Sequence, residues 1–224
     1  RWTDDGEAVG TFVAINGTDV TTEAGGVIRS IEFQPGQQVA AGTVLVRLNT
    51  ANEQATLNAL ETSARLASVQ AQRWQQLAKD KLVSLDDVQQ RAQVEAQRAL
   101  IAQKTIRAPF SGVLGLRKVN LGQYVAPGTP MVSLQQLDPI YLDFSLPEQQ
   151  VATMVEGIAV RARVDALPGK TFDGRITAVE SQVDPNTRNF KAQATFQNPD
   201  GALRPGSFAK VGFALGGERD VLVI

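Results

Sequence analysis

The residues that could do chemistry in this chain are carboxylates, hydroxyls, lysines and arginines, because the sequence contains no cysteine and no histidine. Their absence excludes thiolate and imidazole metal sites, a cysteine nucleophile and a Ser-His-Asp triad. The adjacent acids Asp86 and Asp87 follow Ser84 and could suggest paired carboxylates. Neighbouring helix residues point to different faces, so these acids fit the positive end of a helix better than general acid-base catalysis. We therefore predict no catalytic residue, no metal site and no cofactor.

The charge distribution argues against nucleic acid as a partner. The 224 residues include 22 Lys and Arg and 23 Asp and Glu, which gives a net charge of −1 at pH 7. The basic residues form no cluster along the chain, whereas a nucleic-acid-binding protein needs a basic face. The length suits two or three small domains threaded together.

One stretch of the sequence is written twice with a constant offset. Each copy has short alternating apolar runs separated by Gly and Pro turns, which predicts β-strands. A unit this small cannot bury its apolar face alone, so the two copies must pack on each other. The first copy comprises Gly26-Val27-Ile28, residues 35–43, Val46 and Leu48, and the second comprises Gly112-Val113-Leu114, residues 121–129, Val132 and Leu134.

The segment between the two copies has helical periodicity. A first helix is predicted from Ala51 to about Lys79, and Ser84 has the character of an N-cap for a second helix from about Leu85. Both helices begin and end at the same β module, so we predict a projecting helical hairpin with a coiled-coil-like seam. The predicted seam residues are Leu57, Leu60, Ala64, Ala67, Ala71, Trp74 and Ala78 in the first helix, and Val88, Ala92, Ala99 and Ala102 in the second, where Glu95 interrupts them.

The two predicted helices differ in length. The first has about 29 residues and the second about 19, so they differ by roughly 15 Å at the α-helical rise of 1.5 Å per residue. A symmetric hairpin does not accommodate that difference. The sequence therefore predicts either a break in the first helix or residues missing from the second.

A second β module follows the second copy. Strand-like alternation recurs in Tyr141–Leu146 and in four later segments, separated by Pro-Gly and Asp-Pro-Asn turns. Leu146-Pro147 opens a short predicted helix that reaches about Glu156. Several short antiparallel strands with one small helix predict a compact barrel. The later strands are predicted at Val160–Val164, Gly174–Val179, Asn189–Phe196 and Ser207–Leu215.

The repeated module resembles the biotinyl/lipoyl fold, a flattened sandwich of two similar halves. Carrier proteins of that fold present a lysine for cofactor attachment at the tip between the halves. Here the connection is the helical segment, and no lysine lies between Arg47 and Lys79. A lipoyl or biotinyl carrier remains an alternative of a different class, but this departure makes it a poor match.

The whole arrangement resembles the periplasmic adaptor subunits, or membrane fusion proteins, of tripartite efflux pumps, above all those that serve resistance-nodulation-division transporters. The resemblance extends over nearly the whole chain. It implies a mainly β protein with an α-helical hairpin: a split lipoyl-like sandwich plus a small antiparallel β-barrel that carries one short helix. The motifs on which the resemblance rests are TIRAPFSG from Thr105, DPIYLDFSLPEQQ from Asp138, VDPNTRNF from Val183 and LRPGSFAKV from Leu203.

Three residues at the hairpin tip match the same family more closely. Adaptors that meet a TolC-type outer-membrane channel resemble one another in an Arg, a Leu four positions later and a Ser seven beyond that, and Arg73, Leu77 and Ser84 stand at these spacings. The resemblance implies that these residues contact the channel. Each also has a plain structural explanation, as a solvated helix residue, a seam residue and an N-cap.

The resemblance implies a domain organisation and a set of partners. We expect residues 1–6 and 217–224 to be remnants of a membrane-proximal domain, 7–20 and 138–216 the β-barrel, 21–50 and 105–137 the lipoyl-like domain, and 51–104 the hairpin. Hinges are expected near Asn49-Thr50 and Leu137-Asp138.

The expected protein is non-enzymatic and periplasmic, and associates with the inner membrane through a segment missing from this chain. Its expected partners are an inner-membrane resistance-nodulation-division transporter, a TolC-type outer-membrane channel and further copies of itself, in rings of six. An adaptor of an ATP-driven exporter shares these modules and remains an alternative.

Overall fold

The computed structural model describes residues 5–77 and 85–214. The described residues divide into two compact units, one formed by residues 5–17 and 135–214 and the other by residues 18–77 and 85–134. The helices are α1 (Ala51–Leu77) and α2 (Leu85–Gln103), with a 3₁₀ helix at Glu148–Gln150. The strands are β1 (Asp5–Ala14), β2 (Gly17–Thr21), β3 (Gly26–Ile31), β4 (Gln38–Val39), β5 (Val44–Leu48), β6 (Thr105–Arg107), β7 (Gly112–Arg117), β8 (Tyr124–Val125), β9 (Pro130–Gln135), β10 (Ile140–Pro147), β11 (Ala159–Arg163), β12 (Thr171–Val179), β13 (Asn189–Phe196) and β14 (Phe208–Ala214).

The first unit is a closed antiparallel barrel with the strand order β1-β10-β13-β12-β11-β14. β1 closes the barrel, because its residues 10–14 pair with β10 and its residues 5–11 pair with β14. Side chains alternate between interior and surface, most regularly along β10, where every second residue is buried. Inside, Phe12 and Phe196 meet edge to face with ring centroids 5.6 Å apart. The predicted barrel is confirmed, and the five strands predicted from Tyr141 onward begin within three residues of the observed ones.

The short helix of the barrel ends earlier than predicted. It covers only Glu148–Gln150, whereas the sequence indicated a helix as far as Glu156. The hydroxyl of Thr153 donates to the carbonyl oxygen of Gln150 at 2.9 Å, and the amides of Thr153 and Met154 converge on that same oxygen. This local side-chain bond offers the backbone an alternative to a continuing helix.

A buried polar clip fixes the start of β10. Asn198 is only 4% exposed, and its side chain donates to the carbonyl oxygens of Leu137 and Leu203 and accepts from the amide of Leu203, each at 2.9 Å. Asp138 accepts from the amide of Asn198 at 2.7 Å. A buried amide with all these bonds satisfied holds its segment rigidly. Asp138, the first residue of the DPIYLDF motif, therefore has a structural role in the barrel.

The repeat forms a sandwich of two four-stranded sheets, β2-β9-β7-β4 and β6-β5-β3-β8. Each sheet contains strands of both copies, because β3 pairs with β8 and β4 pairs with β7. The hydrogen bonds of the turns repeat as well. The amide of Gly36 donates to the carbonyl oxygen of Leu114 at 2.9 Å, and the amide of Gly122 donates to the carbonyl oxygen of Ile28 at 3.0 Å. The two halves are therefore related by a pseudo-twofold axis and complete each other's sheets.

The repeat is longer than its sequence signal. β2 and β6 occupy the same edge position in the two sheets, and both Val20 and Ile106 are buried. The carbonyl oxygens of Thr22 and Ala108 accept from the equivalent glycine amides, Gly128 and Gly42, at 2.7 and 2.8 Å. β2 thus belongs to the sandwich, although the domain division drawn from sequence placed residues up to 20 with the barrel. The exposed residues of β2 are mostly polar, so this part of the repeat could not be recognised from the sequence.

The pseudo-symmetry predicts equal effects at equivalent turns. Gly36 and Gly122 have φ angles of 78° and 79°, and a side chain at positive φ costs roughly 1–2 kcal/mol. We expect Gly36→Ala and Gly122→Ala each to lower the free energy of unfolding of the sandwich by about 1 kcal/mol, measured by urea denaturation. Gly36→Asn is the control and should cost less, because asparagine tolerates this conformation. Clearly unequal losses for the two alanine variants would contradict the symmetry.

Candidate functional site

The helical hairpin is the candidate functional site. α1 leaves the sandwich after β5, and α2 returns directly into β6. β5 and β6 are paired, with Arg47 opposite Thr105, so the two ends of the hairpin are held by one β ladder. Within α1, the predicted seam is confirmed in its described part: Leu57 is buried, and Leu60, Ala64, Ala67 and Ala71 are half-buried. The described helices keep unequal lengths of 27 and 19 residues.

The predicted seam of α2 is wrong. Val88 is 55% exposed, and Ala92, Ala99 and Ala102 are also exposed. The helix is rotated so that Val94 and Ile101, seven residues apart, face α1. These two side chains bury more apolar area than alanines do. The half-buried residues that continue this stripe are Gln90, Gln97 and Lys104.

The polar members of that stripe bond directly to α1. Gln97 donates its side-chain amide to the carbonyl oxygen of Glu53 at 2.9 Å. Lys104 donates to the Glu53 carboxylate at 2.6 Å and to the carbonyl oxygen of Asn49 at 3.2 Å. The Lys104 and Glu53 side chains are only 12% and 28% exposed. We call Asn49, Glu53, Gln97 and Lys104 the base lock, since they tie the start of α1 to the end of α2.

The base lock perturbs one ionisable group. The hydrogen bond from Lys104 is the largest cause that lowers the pKa of Glu53 below its ordinary value of 4.5, and a hydrogen bond from the backbone of Glu53 adds to it. The carboxylate is therefore charged at neutral pH and stays charged into the acid range. Further along the hairpin, Arg98 bonds Glu61 on the other helix at 2.7 Å and Glu95 on its own helix at 2.8 Å. These side chains are 41–69% exposed, so solvent weakens this network.

Of the three predicted tip residues, Arg73 and Leu77 lie near the C-terminal end of α1. Arg73 is exposed on α1. Leu77 is the last residue of α1, and its side chain lies outside the described residues. Ser84 also lies outside them, so the N-cap and channel-contact predictions for it stay predictions.

The VDPNTRNF motif forms the turn expected of it. Asp184 accepts from the amide of Asn186 at 2.8 Å, which closes an Asx turn, and from that of Thr187 at 3.3 Å. Arg188 ends the turn with a φ of 53°, which is unusual for a residue with a side chain. Sequence reasoning missed this left-handed residue, because nothing in the type of Arg188 signals it.

Two features are absent from the part of the chain that the structure describes. No group of three or more acidic residues in residues 5–77 and 85–214 is arranged to hold a metal ion. Neither described helix combines the length and apolar character that crossing a bilayer requires.

Comparison with known protein families matches both units of the chain. Residues 16–135 match the CzcB-like barrel-sandwich hybrid domain. Residues 139–217 match the CusB-like beta-barrel domain. The boundary of the first match falls at the start of β2, in agreement with the place of this strand in the sandwich.

Known proteins match along the whole chain. An uncharacterised protein of Haemophilus influenzae is 32% identical over 233 aligned residues, covering 100% of this chain and 61% of that protein. The multidrug resistance protein MdtA of Escherichia coli is 30% identical, covering 96% of this chain and 59% of MdtA. The chain thus spans about three fifths of the length of these relatives. A solved MacA-MexA chimera with the Pseudomonas aeruginosa MexA α-hairpin domain has the same fold, with a TM-score of 0.83, 21% identity and coverage of 96% and 83%.

The base lock should contribute more to stability than the exposed network on the same hairpin. Lys104→Met leaves Glu53 partly buried without its cation, so we expect the free energy of unfolding to fall by about 1–2 kcal/mol. Arg98→Met is the matched control and should cost only a few tenths of a kcal/mol. Urea denaturation followed by helical circular dichroism measures both. Equal losses would show that the base lock has no special weight.

The pH dependence of the base lock has a definite sign. The pKa of Glu53 is lowered in the folded protein, so its contribution is complete above the unfolded value near 4.5 and is lost as the pH falls through the lowered pKa. We expect Lys104→Met to remove part of the acid-induced loss of stability below about pH 4.5. Denaturation of both proteins at pH 7 and at pH 3 tests this.

Sandwich, hairpin and barrel thus occur here in one chain, and the MacA-MexA chimera has the same fold. The match to the barrel-sandwich hybrid domain alone, over residues 16–135, covers more than half of the 224 residues. The chain belongs to the membrane fusion proteins, the periplasmic adaptors of efflux pumps.

Proposed function

We propose that this protein is the periplasmic adaptor of a tripartite pump and links a proton-driven resistance-nodulation-division transporter in the inner membrane to a TolC-type channel in the outer membrane. The observation that carries this proposal is the hairpin, which leaves the sandwich between two paired strands and exposes Arg73 toward its far end. The role is mechanical and non-enzymatic. Energy for transport comes from the transporter.

The names of the matched families and relatives support the type of transporter. The family that matches the barrel is named for resistance-nodulation-division proteins and described as CusB-like. MdtA is named a multidrug resistance protein. On this basis the exported substrates are drug-like compounds, and the protein acts in the periplasm beside the inner membrane.

The sandwich and the hairpin have different roles in the proposed assembly. In the proposed assembly, sandwiches of six copies pack side by side around a conduit, and the hairpins point to the channel. A net charge of −1 allows such lateral packing without strong repulsion. The base lock keeps each hairpin in register with its sandwich, because Lys104 bonds both Asn49 and Glu53 at the root of α1.

At the tip, the three predicted residues divide the contact between apolar and polar groups. Leu77 supplies an apolar contact, while Arg73 and Ser84 donate hydrogen bonds to backbone carbonyl oxygens of the channel. Buried apolar residues with hydrogen bonds around them are the usual make-up of a specific protein interface. One contact of this kind per copy, repeated around a ring, gives avidity from weak single contacts.

The tip contact is tested in cells. A strain without this gene is complemented with the full-length natural gene, either unchanged or carrying Leu77→Asp, and drug susceptibility is measured. We expect the unchanged gene to restore resistance and Leu77→Asp to fail, because a buried unpaired carboxylate at the tip opposes docking. Leu66→Asp is the matched control, since Leu66 is a 60% exposed leucine of the same helix, farther from the tip.

The outcomes separate the tip from the function as a whole. Equal rescue by both variants at equal protein abundance contradicts the assignment of Leu77, and leaves the adaptor in place. If deletion of the gene changes susceptibility to no compound tested, the efflux function itself is wrong.

The energy source distinguishes a proton-driven transporter from an ATP-driven exporter. In the complemented strain, we expect a protonophore to abolish efflux of a fluorescent substrate while cellular ATP is kept high by fermentation. The deletion strain is the control for leakage. Efflux that persists under the protonophore would assign the adaptor to an ATP-driven exporter.

A further inference from the structure

The outer surface of the barrel carries one face on which basic and apolar side chains are mixed. On β14, Phe208 and Lys210 point outward, and Phe208 is 70% exposed. Lys210 lies opposite Val9 of β1, which is 63% exposed, and opposite Arg163 of β11 on its other side. Val9 and Phe208 are diagonal cross-strand neighbours, so the two exposed apolar side chains lie near each other. We call Val9, Arg161, Arg163, Phe208 and Lys210 the barrel face.

The barrel face contains an unfavourable pair of like charges. Arg163 and Lys210 are direct cross-strand neighbours, and like charges in that position destabilise a sheet. Among the described residues, neither has an ion-pair partner, whereas Arg161 bonds Asp173 at 3.0 Å. The two unpaired cations therefore attract an anionic group from outside.

A groove lies beside the two cations. Arg161, Arg163 and Lys210 line it together with Glu7, Asp173 and Gly212, and its volume is about 390 Å³. Gly212 lies between Arg161 and Glu7 in the sheet. A side chain added at Gly212 would meet only the carbonyl oxygen of Arg161, at 4.0 Å. The missing side chain thus opens space for a group of a partner.

We propose that the barrel face is a docking surface for an acidic segment of a partner protein, in which carboxylates stand next to a large apolar side chain. The carboxylate binds between Arg163 and Lys210 and relieves their repulsion, with bidentate hydrogen bonds from the guanidinium. The apolar side chain packs on Val9 and Phe208. This inference goes beyond the proposed adaptor function and does not depend on it, since the surface is separate from the hairpin.

Charge complementarity favours a protein over a membrane as the occupant. Lipid recognition by electrostatics uses clusters of about four to eight basic residues, whereas the face offers three and interleaves Glu7 and Asp173 with them. An anionic bilayer would repel these acids, but a folded partner can match a mixed pattern.

The probe is a fluorescein-labelled peptide of alternating glutamate and leucine, with a second peptide in which glutamine replaces every glutamate. Binding to the full-length protein is measured by fluorescence anisotropy. We expect the acidic peptide to bind at least about tenfold more tightly than the glutamine peptide, and binding to weaken as salt rises. Vesicles that contain phosphatidylglycerol should not bind through this face.

Two variants disrupt the face in different ways. Arg163→Glu with Lys210→Glu reverses the charges and should weaken peptide binding at least about tenfold. Gly212→Val places a side chain in the groove and should weaken peptide binding severalfold. It should leave the stability of the barrel unchanged or raised, because valine suits a strand better than glycine. Lys191→Glu is the matched control, since Lys191 is an exposed lysine that points outward from β13. It should change binding less than about twofold.

Other outcomes overturn the proposal. Absence of peptide binding, or equal weakening by Lys191→Glu, would show that the face has no specific docking role. Vesicle binding that disappears with the charge-reversed variant would replace the protein partner by a lipid headgroup. None of these results bears on the drug-susceptibility test of the hairpin, so the two proposals fail separately.

Discussion

The structure depends on the exchange of strands between two incomplete half-sandwiches. Neither copy of the repeat forms a four-stranded sheet by itself, because in each sheet one copy supplies the two inner strands and the other copy supplies both outer strands. Whatever connects the copies must therefore leave and return at adjacent strands. β5 and β6 meet in one ladder, so a connection of more than fifty residues has its two ends fixed side by side. An antiparallel helical hairpin satisfies that condition with all internal backbone bonds made within each helix.

The hairpin takes its direction from its root more than from its own interface. Only Leu57 and Val94 are buried among the described hairpin residues, which is a small apolar contribution for two helices of this length. The register is set instead by directional bonds of Gln97 and Lys104 at the root. Such an interface holds the helices together where they leave the sandwich and demands little of their outer faces.

Much of the fold could be predicted from the sequence, because its signals are local. The repeat, the two helices and the barrel strands can each be recognised from the spacing of apolar residues and from the turn residues between them. The face of α2 was predicted wrongly, since alanines and Val88 form a plausible stripe by spacing alone. The choice of the stripe with Val94 depends on which residues α1 offers, and Glu53 there favours Gln97 and Lys104. β2 was misplaced for a similar reason: four of its five residues are exposed, and its pairing with β9 is decided by the opposite half. The family could be inferred from the order of the motifs, whereas the barrel face has no motif and is visible only from the cross-strand register.

The pseudo-symmetry also separates what the fold requires from what it leaves free. Equivalent inward positions keep an apolar residue in both halves, as Ile28 and Leu114 or Val39 and Val125 do. Equivalent outward positions diverge: Leu116, 78% exposed, replaces Ser30, and Tyr124, 69% exposed, replaces Gln38. The same ladder positions thus carry different exposed side chains in the two halves, so the surface of the sandwich is asymmetric although its strand pairing is symmetric.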